Sequence, residues 1–154
     1  NNFGNLCQRV TAFNEKNCAS IVPENIEFTN DDLNILNKFS KSVDTLRKEI
    51  DKQNLNFYMD FIIKALFDAN KYFNDQEPWK KKSDVVRLNT IVYVSLEIIR
   101  KVSVLLNPIM PDTSNKILSM INISTENISF SRITKIEVDN QKINPISQLF
   151  PRVD

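Results

Sequence analysis

At 154 residues, 42% hydrophobic and 25% charged, the chain has the length and composition of one globular domain that can bury a core. A formal net charge of +1 argues against a general DNA-coating surface and leaves any nucleic-acid contact to a local patch. A single glycine, Gly4, excludes glycine-rich phosphate loops, and the lack of histidine removes the commonest general base and metal ligand.

The elements follow in chain order, and together they predict an all-α fold. Phe3, Leu6, Cys7, Val10 and Phe13 share one arc at 100° per residue, which predicts a first helix from Asn2 to about Ala19. Cys7 and Cys18 on that helix would stand about 16 Å apart, too far for a disulfide, so both are expected as reduced thiols. A loop with Pro23 leads to Thr29 or Asn30, either of which can cap a second helix. Leu36, Phe39, Val43, Leu46 and Ile50 give that helix a single apolar stripe. The third helix, near Asn54 to Asn74, carries Leu55, Met59, Ile62, Leu66, Ala69 and Phe73. Phe57, Phe61 and Phe67 lie off its stripe and predict neighbours on more than one side.

A break at Asp75 to Trp79 places Pro78 where a proline can start a short helix. The fourth helix, about Ser83 to Asn107, has two apolar stripes, one through Leu88, Val92 and Ile99 and one through Ile91, Val94 and Ile98. A helix apolar on two faces belongs in the middle of a bundle. Pro108 ends it, and Pro111-Asp112 opens a fifth helix to about Ile121. The chain therefore reads as one domain over 1–154: an antiparallel bundle of about five helices over 1–121, then an irregular tail over 122–154. That tail alternates weakly at Ile133 to Val138 and is expected to pack back through Leu149, Phe150 and Pro151. No signal peptide appears, and charges interrupt every apolar stretch before it could span a bilayer, so a cytoplasmic protein without membrane contact is expected. A start at Asn1-Asn2 without Met, already inside a helical pattern, is expected of a domain cut from a longer protein or of a processed chain.

Few residues suggest catalysis. Asp31-Asp32 suits the positive end of a helix, and Glu97 three residues before Arg100 suits an intrahelical pair. Lys38-Phe39-Ser40-Lys41-Ser42 resembles a phosphate-holding loop of class I aminoacyl-tRNA synthetases, but it falls inside a predicted helix with Phe39 on the apolar stripe. Asn5 and Arg9, four apart, share a helix face away from the apolar arc. An amide and a guanidinium there can read base edges, or simply line a solvated face. Trp79, the only tryptophan, follows Pro78 and precedes Lys80, Lys81 and Lys82. It can stack on a base while the lysines attract phosphates, or it can cover part of the core beside a solvated charge run.

These residues sit in longer strings. Gly4-Asn5-Leu6-Cys7-Gln8-Arg9 resembles the Gly-Asn-Leu-x-x-Arg segment that opens the anticodon-binding domain of methionyl-tRNA synthetases. Asn70 to Lys80 is similar to the Asn-x-Tyr-x-x-x-x-x-Pro-Trp-x element of the same domains. Pro108-Ile109-Met110-Pro111 resembles their Pro-Phe-Met-Pro turn, and Leu149-Phe150-Pro151-Arg152 their Leu-Phe-Pro-Arg tail. The resemblance implies a helical bundle that recognises the CAU anticodon of methionine tRNA. Trp79 would stack on the first base, a cytosine, Pro78 would set the turn, and Asn5 and Arg9 would contact splayed bases. It further implies a catalytic domain in the same longer chain that uses ATP and methionine, with no cofactor, metal or catalytic residue here and no DNA or membrane partner. The anticodon domain of another class I synthetase, or a helical protein-interaction module, are the alternatives. Many relatives carry Asp-Glu-Gln-Ala before Pro-Trp; this chain departs from them with Asn74-Asp75-Gln76-Glu77.

Overall fold

The computed structural model describes residues 2–19 and 21–120; the expected tail over 122–154 lies outside the described residues. Five α-helices follow in order: α1 (Asn2–Cys18), α2 (Asn30–Asp51), α3 (Leu55–Gln76), α4 (Val85–Leu106) and α5 (Pro111–Met120), with a 3-10 turn at Pro78–Lys80 between α3 and α4. No strand occurs among the described residues, and the fold is all-α as expected. Among them, too, no helix is long and apolar enough to cross a membrane.

Local chemistry sets the helix ends. Of the two capping candidates, Thr29 is the one used: its hydroxyl accepts from the Asp32 backbone N–H, and the Asp32 carboxylate accepts from the Thr29 N–H at 2.9 Å. Asn54 caps α3 and Asp84 caps α4 in the same one-sided way, each accepting from the backbone N–H three residues on. α3 runs to Gln76, two residues beyond the expected end, because the left-handed turn comes at Glu77 and not before it.

Contacts between helices fix their directions. Asp32 meets Tyr72 while Lys38 meets Asp68, so α2 and α3 are antiparallel. Tyr58 meets Leu105 while Gln76 meets Arg87, so α3 and α4 are antiparallel as well. α4 lies at the centre, against α1, α2, α3 and α5. Every residue from Thr90 to Leu106 is buried, as two apolar stripes require. The polar members find local partners. Glu97 pairs with Arg100 at 3.2 Å as expected, though wholly inside the protein, and Lys101 stands 3.9 Å from the same carboxylate. The Ser114 hydroxyl donates to the Ser103 carbonyl at 2.6 Å and ties α5 to α4.

The stripes of α1 and α3 pack inward as read, with Leu55 at the first turn of α3 left exposed. In α2, Leu36 and Leu46 are buried and Ile50 packs against the core, while the side chains of Phe39 and Val43 lie outside the described residues. One expectation needs correction. Phe61 reaches the core, but Phe57 (42% exposed) and Phe67 (64% exposed) face outward. The buried residues of α3, from Tyr58 through Ile62, Ala65 and Ala69 to Phe73, share one arc, so among the described residues its neighbours span less of the helix than three off-stripe phenylalanines suggested.

Both cysteines are free thiols. Burial pushes Cys7 well above the ordinary thiol range and Cys18 up to about 11. Thiol titration with a disulfide reagent at pH 8 should therefore modify Cys18 before Cys7, both slowly until urea is added. Rapid labelling of Cys7 in the native chain would contradict its full burial on the inner face of α1.

Candidate nucleic-acid interface

The break after α3 is built in a few residues. Glu77 adopts a left-handed conformation, φ 47° and ψ 59°, a strain of about 1 kcal/mol for a residue with a β-carbon. Its N–H donates to the Asn74 carbonyl, and its carbonyl accepts from the Lys80 N–H at 2.9 Å. Pro78 follows at the first position of the 3-10 turn, where its missing N–H does no harm, and it is buried. The buried proline carries the indole of Trp79 outward, 42% exposed.

Beneath the indole lies Phe73, only 2% exposed, whose ring meets Trp79 edge-on at 6.0 Å and 64°. The same ring supports the Arg9 guanidinium, whose central carbon stands 5.1 Å from its centroid. Arg9 also donates to the Asn70 amide oxygen at 3.5 Å and to the Asn74 amide oxygen. Phe13 packs edge-on to Phe73 at 6.0 Å, completing the support. The structure thus brings Arg9 and Trp79 to one surface through a shared aromatic floor, with Pro78 behind the indole. Asn5 stays exposed one helical turn before Arg9.

The lysine run does not act as a unit. Lys80 pairs with Glu77 at 2.9 Å, and this hydrogen bond holds the Glu77 carboxyl below its usual range. The Lys81 ammonium donates to the Gln76 carbonyl at 3.2 Å, and Lys82 is exposed. Sequence reasoning missed Phe73, placed on the core stripe, and Asn70 and Asn74. The last two carried a usable signal: they are four apart on α3, as Asn5 and Arg9 are on α1.

A second cluster lies at the base of the turn. Asp31 is exposed and suits the helix start, but its neighbour Asp32 is fully buried and does more. Arg87 grips it bidentately at 2.8 and 3.0 Å, and the Tyr72 hydroxyl donates to it at 2.6 Å. Burial pushes the carboxyl upward, yet the hydrogen bonds from Arg87, the Thr29 N–H and Tyr72 outweigh it and hold Asp32 below its ordinary range. Burial and the Asp32 contact push the Tyr72 hydroxyl up, and Asp32 holds Arg87 more firmly charged. The capping role of Asp32 was readable from its position; its grip on Arg87, 55 residues away, was not.

Two shallow grooves among the described residues contain none of Asn5, Arg9 or Trp79. One between α2 and α3 is lined by Asp31, Lys38, Asp68 and Lys71; another is lined by Cys18, Pro23 and Asn89. Among the described residues no three acidic or cysteine side chains gather as a metal site would require. The Arg9–Trp79 face is instead an open, mixed aromatic and polar surface. Residues 22–142 match the family model described as the anticodon binding domain of methionyl tRNA ligase. The chain belongs to this family.

As an anticodon-binding domain of this family, it is 32% identical over 154 residues to the methionine–tRNA ligase of Brucella suis. It is 31% identical over 157 residues to that of Mycobacterium leprae. These alignments cover 99% of the chain and 30% and 29% of the relatives, so the chain spans about 30% of the length of the curated relatives it matches. Solved structures of Mycobacterium tuberculosis methionyl-tRNA synthetase superpose on it at 30% identity. The apo form gives a TM-score of 0.91 over all of this chain and 32% of that one. The complex with methionyl-adenylate gives 0.90 over 99% of this chain and 31% of that one.

Proposed function

We propose that the face formed by Asn5, Arg9, Pro78 and Trp79 reads the CAU anticodon of methionine tRNA. In this reading Trp79 stacks on the first base, a cytosine, and Asn5 and Arg9 meet the edges of bases splayed out of the loop. The reading rests most on one observation: the half-exposed indole and the Arg9 guanidinium lie on the same Phe73 ring. Single-stranded RNA loops are read by this combination, an aromatic plane for the base face and fixed polar groups for its edge. Arg9 is already held by Asn70 and Asn74, so less side-chain freedom is left to lose on binding. Phosphate contacts from Lys82 need no rearrangement, whereas Lys80 and Lys81 must first leave Glu77 and the Gln76 carbonyl.

The chemistry would belong to a catalytic domain elsewhere in a longer, cytoplasmic chain. There ATP would activate methionine, and the methionyl group would pass to the tRNA end. This domain would contribute binding alone, with the bundle holding the anticodon at a set distance from the reacting end.

Anticodon stem-loops that differ only in the first base test the reading. Cytosine is expected to bind about five- to a hundredfold more tightly than uridine, since base-edge hydrogen bonding discriminates by about 1–3 kcal/mol. Equal affinity for all four bases would leave a helical protein-interaction module as the better account, and preference for another base would point to a different class I synthetase.

A further inference from the structure

Gln76 is the last residue of α3, and Arg87 lies in the first turn of α4. Between them run the residues that carry Trp79. The second terminal nitrogen of Arg87 donates to the Gln76 amide oxygen at 2.8 Å while also donating to Asp32 at 3.0 Å. This contact closes the base of the turn, drawing together two residues eleven apart in the chain. From inside the turn, the Lys81 ammonium donates to the Gln76 main-chain carbonyl at 3.2 Å. Gln76 is thus held twice, by its side chain to α4 and by its main chain to the turn itself.

The direction of this support matters. Asp32 is buried at the start of α2 and takes both terminal nitrogens of Arg87, so the guanidinium is fixed in orientation before it reaches Gln76. Glu77, immediately after Gln76, holds a left-handed conformation that a residue with a β-carbon does not favour. A strained residue persists only where its surroundings over-determine it, and the clamp on Gln76 supplies that constraint on one side as buried Pro78 does on the other.

We infer that Gln76 and Arg87 are positioning residues for the anticodon face: clamped to buried Asp32, they close the Glu77–Asp84 turn and hold the Trp79 indole in its stacking orientation. The inference deepens the anticodon reading and rests on it for the identity of the ligand. The clamp itself can be measured without RNA. Trp79 is the only tryptophan in the chain, so its fluorescence reports on this turn alone.

Nanosecond anisotropy decay of Trp79 and affinity for the cytosine stem-loop are measured on the chain and on three variants. Gln76→Ala removes the side-chain acceptor and keeps the carbonyl that Lys81 uses. It should enlarge the fast component of the anisotropy decay and weaken binding about three- to tenfold, as loss of a charge-assisted hydrogen bond that orders the turn would do. Gln76→Glu restores an acceptor for Arg87 and should return both readings toward the parent values. Tyr72→Phe removes a different bond to Asp32; it should lower the melting temperature while leaving indole mobility and affinity unchanged. Unchanged anisotropy in Gln76→Ala overturns the proposal, as does unchanged affinity with a loosened indole. Equal loosening in Tyr72→Phe would also overturn it, by showing general destabilisation. Should the parent chain show no preference for cytosine while Gln76→Ala still frees the indole, the anticodon reading falls and the clamp stands.

Discussion

Trp79→Ala is expected to lower the affinity of the chain for a methionine anticodon stem-loop by about five- to a hundredfold. The range follows from base–aromatic stacking, worth about 1–3 kcal/mol per base when the ring is removed. It should do so without unfolding the bundle, because the indole is 42% exposed and the core beneath is sealed by Phe73 and Pro78. Calorimetric titration gives the affinity, and thermal unfolding should move by only a degree or two. Trp79→Phe keeps a smaller aromatic plane and should recover part of the loss. The first-base preference should fade with the ring if cytosine is the base stacked on it, so the four stem-loops should bind more nearly alike to Trp79→Ala. An affinity unchanged by the substitution would remove the indole from the RNA surface altogether.

Asp32→Asn should destabilise the chain by roughly 3 kcal/mol, the lower end of the range for breaking a buried ion pair, since Arg87 keeps 15% of its side chain in water. The variant leaves a guanidinium held by a neutral amide that can accept at one oxygen only. Urea unfolding at neutral pH measures the difference. Its pH dependence gives a second check. The folded protein holds the Asp32 carboxyl below the ordinary value, which for an unfolded chain is about 3.9. A depressed carboxyl contributes stability that is fully present above the unfolded value and is lost as pH falls toward the folded one. The gap between parent and Asp32→Asn should therefore be constant from about pH 7 to 5 and shrink progressively below about pH 4, as the unfolded chain's carboxyl takes up its proton first and the folded one only at lower pH. A gap that stays the same down to pH 2.5 would show that Asp32 acts only through its shape and its cap on α2.

Most of the bundle was legible from periodicity. The spacing of Leu88, Ile91, Val92 and Ile99 placed α4 at the centre, and burial of every residue from Thr90 to Leu106 agrees. Short-range chemistry was equally legible: a cap at Thr29 or Asn30, Pro78 opening a short helix at the break, and the intrahelical Glu97–Arg100 pair all involve residues within a few positions of one another. Phe67 shows the limit. Periodicity gives the angle at which a side chain leaves its helix but not whether another helix lies there, and among the described residues Phe67 stays exposed.

The proposed anticodon face divides along the same line. Asn5, Arg9, Pro78 and Trp79 could be named from their residue types, their spacing and their family strings, because a planar ring after a proline and an amide–guanidinium pair on one helical face are local facts. Their support depended on where α1, α3 and α4 come to rest. Phe73 looked like one more core position, and its second task as the floor beneath both Arg9 and Trp79 exists only once α1 lies across α3. Asp32 and Arg87, far apart in the chain, become partners only when antiparallel packing brings the start of α2 beside the first turn of α4. Hydrophobic spacing is written along one strand of sequence and survives any arrangement of the helices. A hydrogen bond between distant side chains has no such spacing, and comes into being with the packing that makes them neighbours.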